Sequence, residues 1–98
     1  MEKPKFITRL EENDPALLER VQALREFTER DGALPARIKT LMSMLCDAVL
    51  GHGDGVSSLA AKARAQGATE EEIAETVRIA FLFAGLPGLV NGTFAYPK

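Results

Sequence analysis

Charged residues are distributed unevenly along this chain, and their distribution limits the folds that it can adopt. In residues 41–61 the only formal charges are Asp47 and Asp54, and residues 79–97 carry none. A helix that is apolar on nearly every side is buried on nearly every side. The chain therefore has to bury two long apolar segments.

The ways of burying these segments are few. A length of 98 residues fits a single domain, 1–98, which covers only a modest part of its apolar surface unaided. The one cysteine, Cys46, cannot form an intrachain disulfide, and this is typical of a reducing cytoplasm. We therefore expect a cytoplasmic homo-oligomer with residues 79–90 between subunits.

The distribution of charges and of helix-breaking residues argues against nucleic-acid binding, a transmembrane helix and a signal peptide. Twelve Lys and Arg against fourteen Asp and Glu give a net charge of −2, without the basic cluster that nucleic acid requires. Gly85, Pro87 and Gly88 interrupt the last apolar segment, so a transmembrane helix is not expected. Arg9 and Glu11 interrupt any apolar run of signal-peptide length.

Apolar residues recur at helical spacing through most of the chain, and no β-type alternation of any length occurs. Residues 1–13 show no sustained period and are expected to form an N-terminal arm. Helix starts are indicated by capping residues, by proline or by the return of the period, at Asp14-Pro15, Leu34-Pro35, Val56 and Thr69-Glu70. We predict an all-α domain of about five helices.

Turn residues separate these helices. Residues 51–55 read Gly-His-Gly-Asp-Gly, which indicates a turn or loosened junction. Gly67 is well placed as the left-handed end of a helix. Thr69 and Glu72 have the spacing of a capping box, so the acidic run 70–72 is interpreted as helix capping rather than as a metal or acid–base site.

The order of these elements over residues 34–92 resembles the carboxymuconolactone decarboxylase-like superfamily, which also contains the alkylhydroperoxidase D-type peroxidases. Residues 39–41 (Lys-Thr-Leu) fall on the family's basic-Glu-Leu segment, and residues 67–69 (Gly-Ala-Thr) on its turn. The resemblance implies an all-α fold of the alkylhydroperoxidase D-like type and a trimer or hexamer. No cofactor is expected.

The positions that carry the family's chemistry are filled differently here. Peroxidase members use a CxxC pair, with a Glu and a His that move protons. Counting back from the Gly-Ala-Thr turn, the positions of the Glu, the two cysteines and the His hold Thr40, His52, Gly55 and Leu59. The decarboxylase branch lacks the cysteine pair but generally keeps the Glu and His, because lactone opening needs a proton donor and acceptor. An enzyme here would resemble either a decarboxylase-like lyase or a peroxidase-like oxidoreductase.

Two residues are candidates for a replacement chemistry. His52 is the only histidine, and the neighbouring Asp54 is a carboxylate that can orient it, although a lone His near a helix end is more often a capping or surface residue. Cys46 gives a reactive thiolate if an imidazole lies beside it, although a free cysteine on an apolar helix is usually a small buried residue. His52 with Asp47 and Asp54 falls short of a metal-ligand set, so no metal is expected.

A polar stripe suggests where a ligand binds. Thr40, Ser43 and Asp47 are spaced to share one face of an otherwise apolar helix, and such a stripe either hydrogen-bonds within the core or lines a pocket. The first hypothesis is a small organic molecule bound or transformed where this stripe meets His52. The alternatives are peroxidase-type antioxidant activity through Cys46 and a non-enzymatic oligomer that binds other proteins.

Overall fold

The computed structural model describes residues 3–97, and in that range every regular element is helical. The all-α prediction with five helices is therefore confirmed. A short 3-10 helix, η1, follows the last of them. The elements are α1 (Lys5–Asn13), α2 (Pro15–Glu29), α3 (Ala36–Leu50), α4 (Gly53–Ala65), α5 (Glu70–Gly92) and η1 (Thr93–Ala95).

The chain divides after Arg30 into two compact units. The first contains α1 and α2, with Ile7 and Leu18 as their buried residues. Much of the predicted N-terminal arm, 1–13, is thus helical; its first two residues lie outside the described range. Asp14 caps α2 as predicted, because its side chain accepts a hydrogen bond from the amide of Leu17 at 3.1 Å.

The second unit contains α3, α4, α5 and η1 around one apolar core. Met44, Val56 and Ile73 are its largest fully buried side chains, one each from α3, α4 and α5. Alanines fill the positions between them, and their small side chains allow the helices to approach closely. The buried alanines of this core are Ala48, Ala60, Ala63, Ala68, Ala80 and Ala95.

The helix ends follow local rules. Gly51 (φ 84°) ends α3, and Gly67 (φ 98°) follows α4, both in the left-handed region that glycine tolerates best. The predicted capping box at the start of α5 is confirmed: the Thr69 hydroxyl accepts from the Glu72 amide, and the Glu72 carboxylate accepts from the Thr69 amide, each at 3.0 Å. α4 begins at Gly53, earlier than the predicted Val56.

α5 reverses direction at Gly85, where φ is 63° and ψ is −151°. A Cβ atom built on Gly88 would lie 2.6 Å from the carbonyl oxygen of Ala80, and one on Gly92 would lie 2.9 Å from Val77. In one straight helix, positions 80 and 88 would be about 12 Å apart along the axis, and positions 77 and 92 would be further apart. The second limb of α5, residues 86–92, therefore folds back against the first. The sequence indicated interruptions at Gly85, Pro87 and Gly88, and the structure has the reversal at the first of them.

The reversal at Gly85 shortens the straight apolar helix that residues 70–95 could otherwise form. Residues Glu70–Ala95 are long and apolar enough to cross a membrane by length and composition alone, and 22% of their most apolar window is buried within the chain. The straight limb before Gly85 spans about 22 Å, less than the roughly 30 Å of a bilayer core. The segment therefore does not form one rod of spanning length. The cytoplasmic location stays a prediction.

Candidate functional site

His52 and Asp47 come together where α3 ends and α4 begins. Gly51 turns the chain through its left-handed conformation, and the His52 amide donates to the Asp47 carbonyl at 2.8 Å. The His52 ring then lies over the last turn of α3, with Nδ1 at 3.3 Å from Asp47 Oδ1. This is a long hydrogen bond. The turn thus pairs the only histidine with a carboxylate five positions before it.

The pairing leaves the rest of the imidazole accessible. Because a carboxylate oxygen accepts hydrogen bonds, this contact favours the tautomer with the proton on Nδ1. The His52 side chain is 63% exposed, and its Nε2 atom makes no hydrogen bond to any residue in the range 3–97. In that tautomer Nε2 is an acceptor without a partner among residues 3–97, on a largely exposed ring.

Asp54, the carboxylate that the sequence suggested for this role, does not contact His52 by a hydrogen bond or ion pair within the described residues. It lies in the first turn of α4 and is exposed. A carboxylate is favoured there by the free amides and the dipole of the helix. Asp47, at the end of α3 and five positions before His52, therefore takes the role that was expected of Asp54.

Two glycines shape this junction. A Cβ atom on Gly55 would overlap the Asp47 carboxylate, so the absence of a side chain there leaves room for Asp47 against the start of α4. A Cβ atom on Gly53 would lie 3.0 Å from three ring atoms of Phe94. A carboxylate and an aromatic ring therefore both lie close to the backbone of this junction.

The rest of the predicted polar stripe is divided between core and surface. Thr40 is buried, whereas Ser43 is exposed and its hydroxyl donates to the Lys39 carbonyl at 3.0 Å. Thr40 is also about 10 Å along the helix axis from Asp47. A binding role for Thr40 and Ser43 stays a prediction, as does the enclosed pocket expected beside them.

Cys46 is exposed, not buried as a cysteine on an apolar helix usually is. It stands two positions from both Met44 and Ala48, which are buried, and such a step turns about 200° round a helix. It therefore points away from the core. No hydrogen bond joins it to His52 within residues 3–97. The structure thus provides an accessible thiol, without the imidazole contact that would activate it.

Two open clefts in the second unit were not predicted from the sequence. The larger, about 450 Å³, lies between α3 and α5 and combines apolar and charged residues, among them Ile38, Leu41, Ile79, Glu75 and Arg78. The smaller, about 310 Å³, is lined by Ser57, Thr93, Phe94, Tyr96 and Pro97. Phe94 and Tyr96 flank the buried Ala95, and their place in the cleft lining depends on the folded chain.

A two-point ion pair lies at the other end of α4. Arg64 donates to both carboxylate oxygens of Glu70, at 2.7 and 2.8 Å, and also to the carbonyl of Ala95 at 2.8 Å. The hydrogen bond to Arg64 lowers the pKa of Glu70, and the same bond raises the pKa of Arg64. This arginine ties α4 to the start of α5 and to η1.

Within residues 3–97, no group of three or more His, Cys, Asp or Glu side chains is arranged to hold a metal ion. Fold and site together define a small all-α protein with a histidine–carboxylate pair at a glycine-rich helix junction. The profile of the carboxymuconolactone decarboxylase family matches residues 15–96, and the chain belongs to that family. No curated protein and no solved structure matches it.

Proposed function

We propose that this family member binds and transforms a small organic molecule at the junction of α3 and α4, where His52 transfers a proton and Asp47 positions it. The observation that carries the proposal is the 3.3 Å contact of His52 Nδ1 with Asp47 Oδ1 beside an exposed ring. A carboxylate that fixes the ring and its tautomer, with the second nitrogen open, is the arrangement that acid–base catalysis uses.

The position of His52 in the family pattern supports this location. His52 stands where the peroxidase members have the first cysteine of their pair, and the second is replaced by Gly55. Gly55 in turn leaves space for the Asp47 carboxylate. The same helix junction thus exchanges a thiol pair for an imidazole–carboxylate pair. Proton transfer, rather than two-electron redox chemistry, is the reaction type that these side chains favour.

A general-base probe tests the proposal without a known substrate. In nitrobenzisoxazole, His52 Nε2 would take the ring C–H proton while the N–O bond breaks, and the product is a coloured cyanonitrophenolate. We expect turnover above that of free imidazole, loss in His52→Ala and a reduction of about tenfold or more in Asp47→Asn. Nitrogen NMR of the single imidazole would show the Nδ1-protonated tautomer in the wild type and its loss in Asp47→Asn.

Two variants serve as controls. Asp54→Asn removes a nearby carboxylate that does not contact His52, and Cys46→Ala removes the only thiol; both are expected to keep the activity. Turnover that survives His52→Ala, or that falls equally in Asp47→Asn and Asp54→Asn, would contradict the proposal.

Thiol-dependent peroxide reduction is a second candidate, favoured by the exposure of Cys46. The thiolate would attack one peroxide oxygen, the O–O bond would break with release of water, and Cys46 would become a sulfenic acid. With one cysteine per chain, resolution needs Cys46 of another copy or a partner thiol. Full peroxide turnover by Cys46→Ala would exclude this function.

We further propose a homo-oligomer, a trimer or hexamer as the family resemblance implies. The support is the hairpin tip, which we define as Leu82, Phe83 and Leu86: these side chains are 71%, 76% and 65% exposed at the reversal of α5. Apolar patches of this kind mark interaction sites. If the assembled oligomer leaves the tip uncovered, the third candidate, a non-enzymatic protein that binds other proteins, is favoured instead.

A further inference from the structure

We propose that the cleft between α4 and the C-terminal segment is the binding site for a neutral, planar organic molecule that bears a hydrogen-bond acceptor, and that it presents this molecule to His52. The inference rests on the proposed function and specifies its ligand class. We call this cleft, lined by Ser57, Thr93, Phe94, Tyr96 and Pro97, the aromatic cleft.

The aromatic cleft adjoins the histidine junction. Phe94, one of its walls, has ring atoms 3.0 Å from the point where a Cβ atom of Gly53 would stand, and Gly53 follows His52 directly. Ser57, on another wall, lies one turn further along α4. The cleft therefore shares a wall residue, Phe94, with the helix junction that carries His52.

The lining residues select for shape. Phe94 and Tyr96 are both partly exposed and offer ring faces for stacking, which favours a flat ligand. The volume of about 310 Å³ is near the lower end of the range for small-molecule sites, about 300–1000 Å³. One ring system fits such a space better than an extended chain does.

The lining residues also select against charge. None of the five is an Asp, Glu, Lys, Arg or His, whereas the larger cleft between α3 and α5 includes Glu72, Glu75 and Arg78. The Thr93 hydroxyl already donates to the Val90 carbonyl at 2.6 Å. The hydroxyls of Ser57 and Tyr96 make no hydrogen bond within residues 3–97 and remain available as donors. An acceptor such as an amide or ketone carbonyl matches them, while a carboxylate would lose its hydration without gaining a cation.

The segment that presents the two rings is well anchored. Ala95, between Phe94 and Tyr96, is buried, and its carbonyl accepts from Arg64 at 2.8 Å. The amide of Tyr96 donates to the Thr93 carbonyl at 3.1 Å. Holding Ala95 in the core directs its two neighbours outward. The site is thus held in place before a ligand arrives, which reduces the ordering cost of binding.

Three matched ligands test the class: benzamide is planar and neutral, benzoate is planar and anionic, and cyclohexanecarboxamide is neutral and not planar. Binding is followed by NMR shift changes and by the emission of Tyr96, the only tyrosine in a chain without tryptophan. We expect benzamide to bind at least tenfold more tightly than either of the others, with shifts centred on Gly53, Phe94 and Tyr96.

Variants locate the site. Phe94→Leu keeps apolar volume but removes the ring, and Ser57→Ala removes one donor; each is expected to weaken benzamide binding about threefold to tenfold. Ser58→Ala, an exposed neighbour outside the lining, should leave it unchanged. Equal binding of benzoate, or benzamide binding unaffected by both Phe94→Leu and Ser57→Ala, would overturn the inference.

The same ligands separate this inference from the proposed function. His52→Ala should bind benzamide normally, because the imidazole is not part of the cleft lining. Normal binding with no effect of His52→Ala on proton transfer would contradict the function and leave the cleft assignment intact. Proton transfer that depends on His52, in a protein that does not bind benzamide, would contradict the cleft assignment alone.

Discussion

Gly88 packs directly against the backbone of Ala80, within the same helical segment. A Cβ atom on Gly88 would lie 2.6 Å from the Ala80 carbonyl oxygen and 2.6 Å from the Ala84 Cβ atom. The neighbour is backbone inside a packed helix, so it cannot swing away as a flexible side chain would. The close approach of the two limbs of α5 therefore depends on glycine at position 88.

Gly88→Ala should destabilise the protein by roughly 1–3 kcal/mol, because the added methyl group forces the two limbs apart. The measurement is the free energy of unfolding from urea denaturation. Gly32→Ala is the matched control, since a Cβ atom there would meet only the end of the Lys39 side chain at 3.8 Å. Equal stability of the two variants would show that the limbs are not closely packed.

Gly55→Ala should separate Asp47 from His52 while the fold is retained. The new Cβ atom would occupy the space of the Asp47 carboxylate, a side chain that can rotate away. Alanine also favours the helical conformation of α4 by about 0.5–1 kcal/mol over glycine, which offsets part of the strain.

The measurement for Gly55→Ala is the imidazole tautomer by nitrogen NMR, together with turnover of the base probe. We expect the variant to match Asp47→Asn, and the double variant to be no worse than either single one. Additive losses in the double variant would mean that Gly55 acts independently of Asp47.

Glu70→Gln should remove a pH-dependent part of the stability. The pKa of Glu70 is lowered from its ordinary value of 4.5 by the hydrogen bond to Arg64. The contribution of the pair is therefore present above the ordinary value and is lost as the pH falls through the lowered one. The effect is small, since the Glu70 side chain is 61% exposed and solvent screens the pair.

Melting temperatures between pH 2 and pH 7 check the Glu70→Gln prediction. Glu71→Gln is the control: it removes a carboxylate from the same first turn of α5, with the same dipole interaction, but does not contact Arg64. Only Glu70→Gln should reduce the fall in melting temperature that the wild type shows at acid pH. An equal reduction in both variants would mean that the pH dependence comes from the helix dipole and not from the pair with Arg64.

Replacing both Leu82 and Phe83 by serine should shift the proposed homo-oligomer toward monomer. Their exposed area is large, and burying it against another copy would supply much of the association energy. Light scattering coupled to size-exclusion chromatography gives the mass. Leu24→Ser is the control, because Leu24 is similarly exposed on α2 and outside the hairpin tip. An unchanged mass for the tip variant would exclude the tip as the interface.

Local structure was predictable wherever the cause lies within one turn of the chain. The Asp14 cap, the left-handed Gly67 and the Thr69–Glu72 capping box were all expected and are present. Each depends on side chains hydrogen-bonding to backbone a few residues away, or on one residue's φ angle. The helical class and the family followed from the order of these signals together with the apolar pattern.

The candidate site was predictable only in part. The sequence placed His52 at a flexible junction, but suggested Asp54 as its partner because the two are close along the chain. The direction in which Gly51 turns the backbone decides that Asp47 is the carboxylate in contact. Phe94 and Tyr96 were not singled out from the sequence, since nothing local indicates that their rings line a cleft beside α4.

The amino-acid pattern thus specified the helical class, the capped helix starts and the need to cover a long apolar segment, since propensity, capping and hydrophobic period act over a few residues. The reversal at Gly85, the exposure of Cys46, the Asp47–His52 pair and the aromatic cleft required the folded chain. These features depend on which helix faces meet, and that is set by packing between residues distant in sequence.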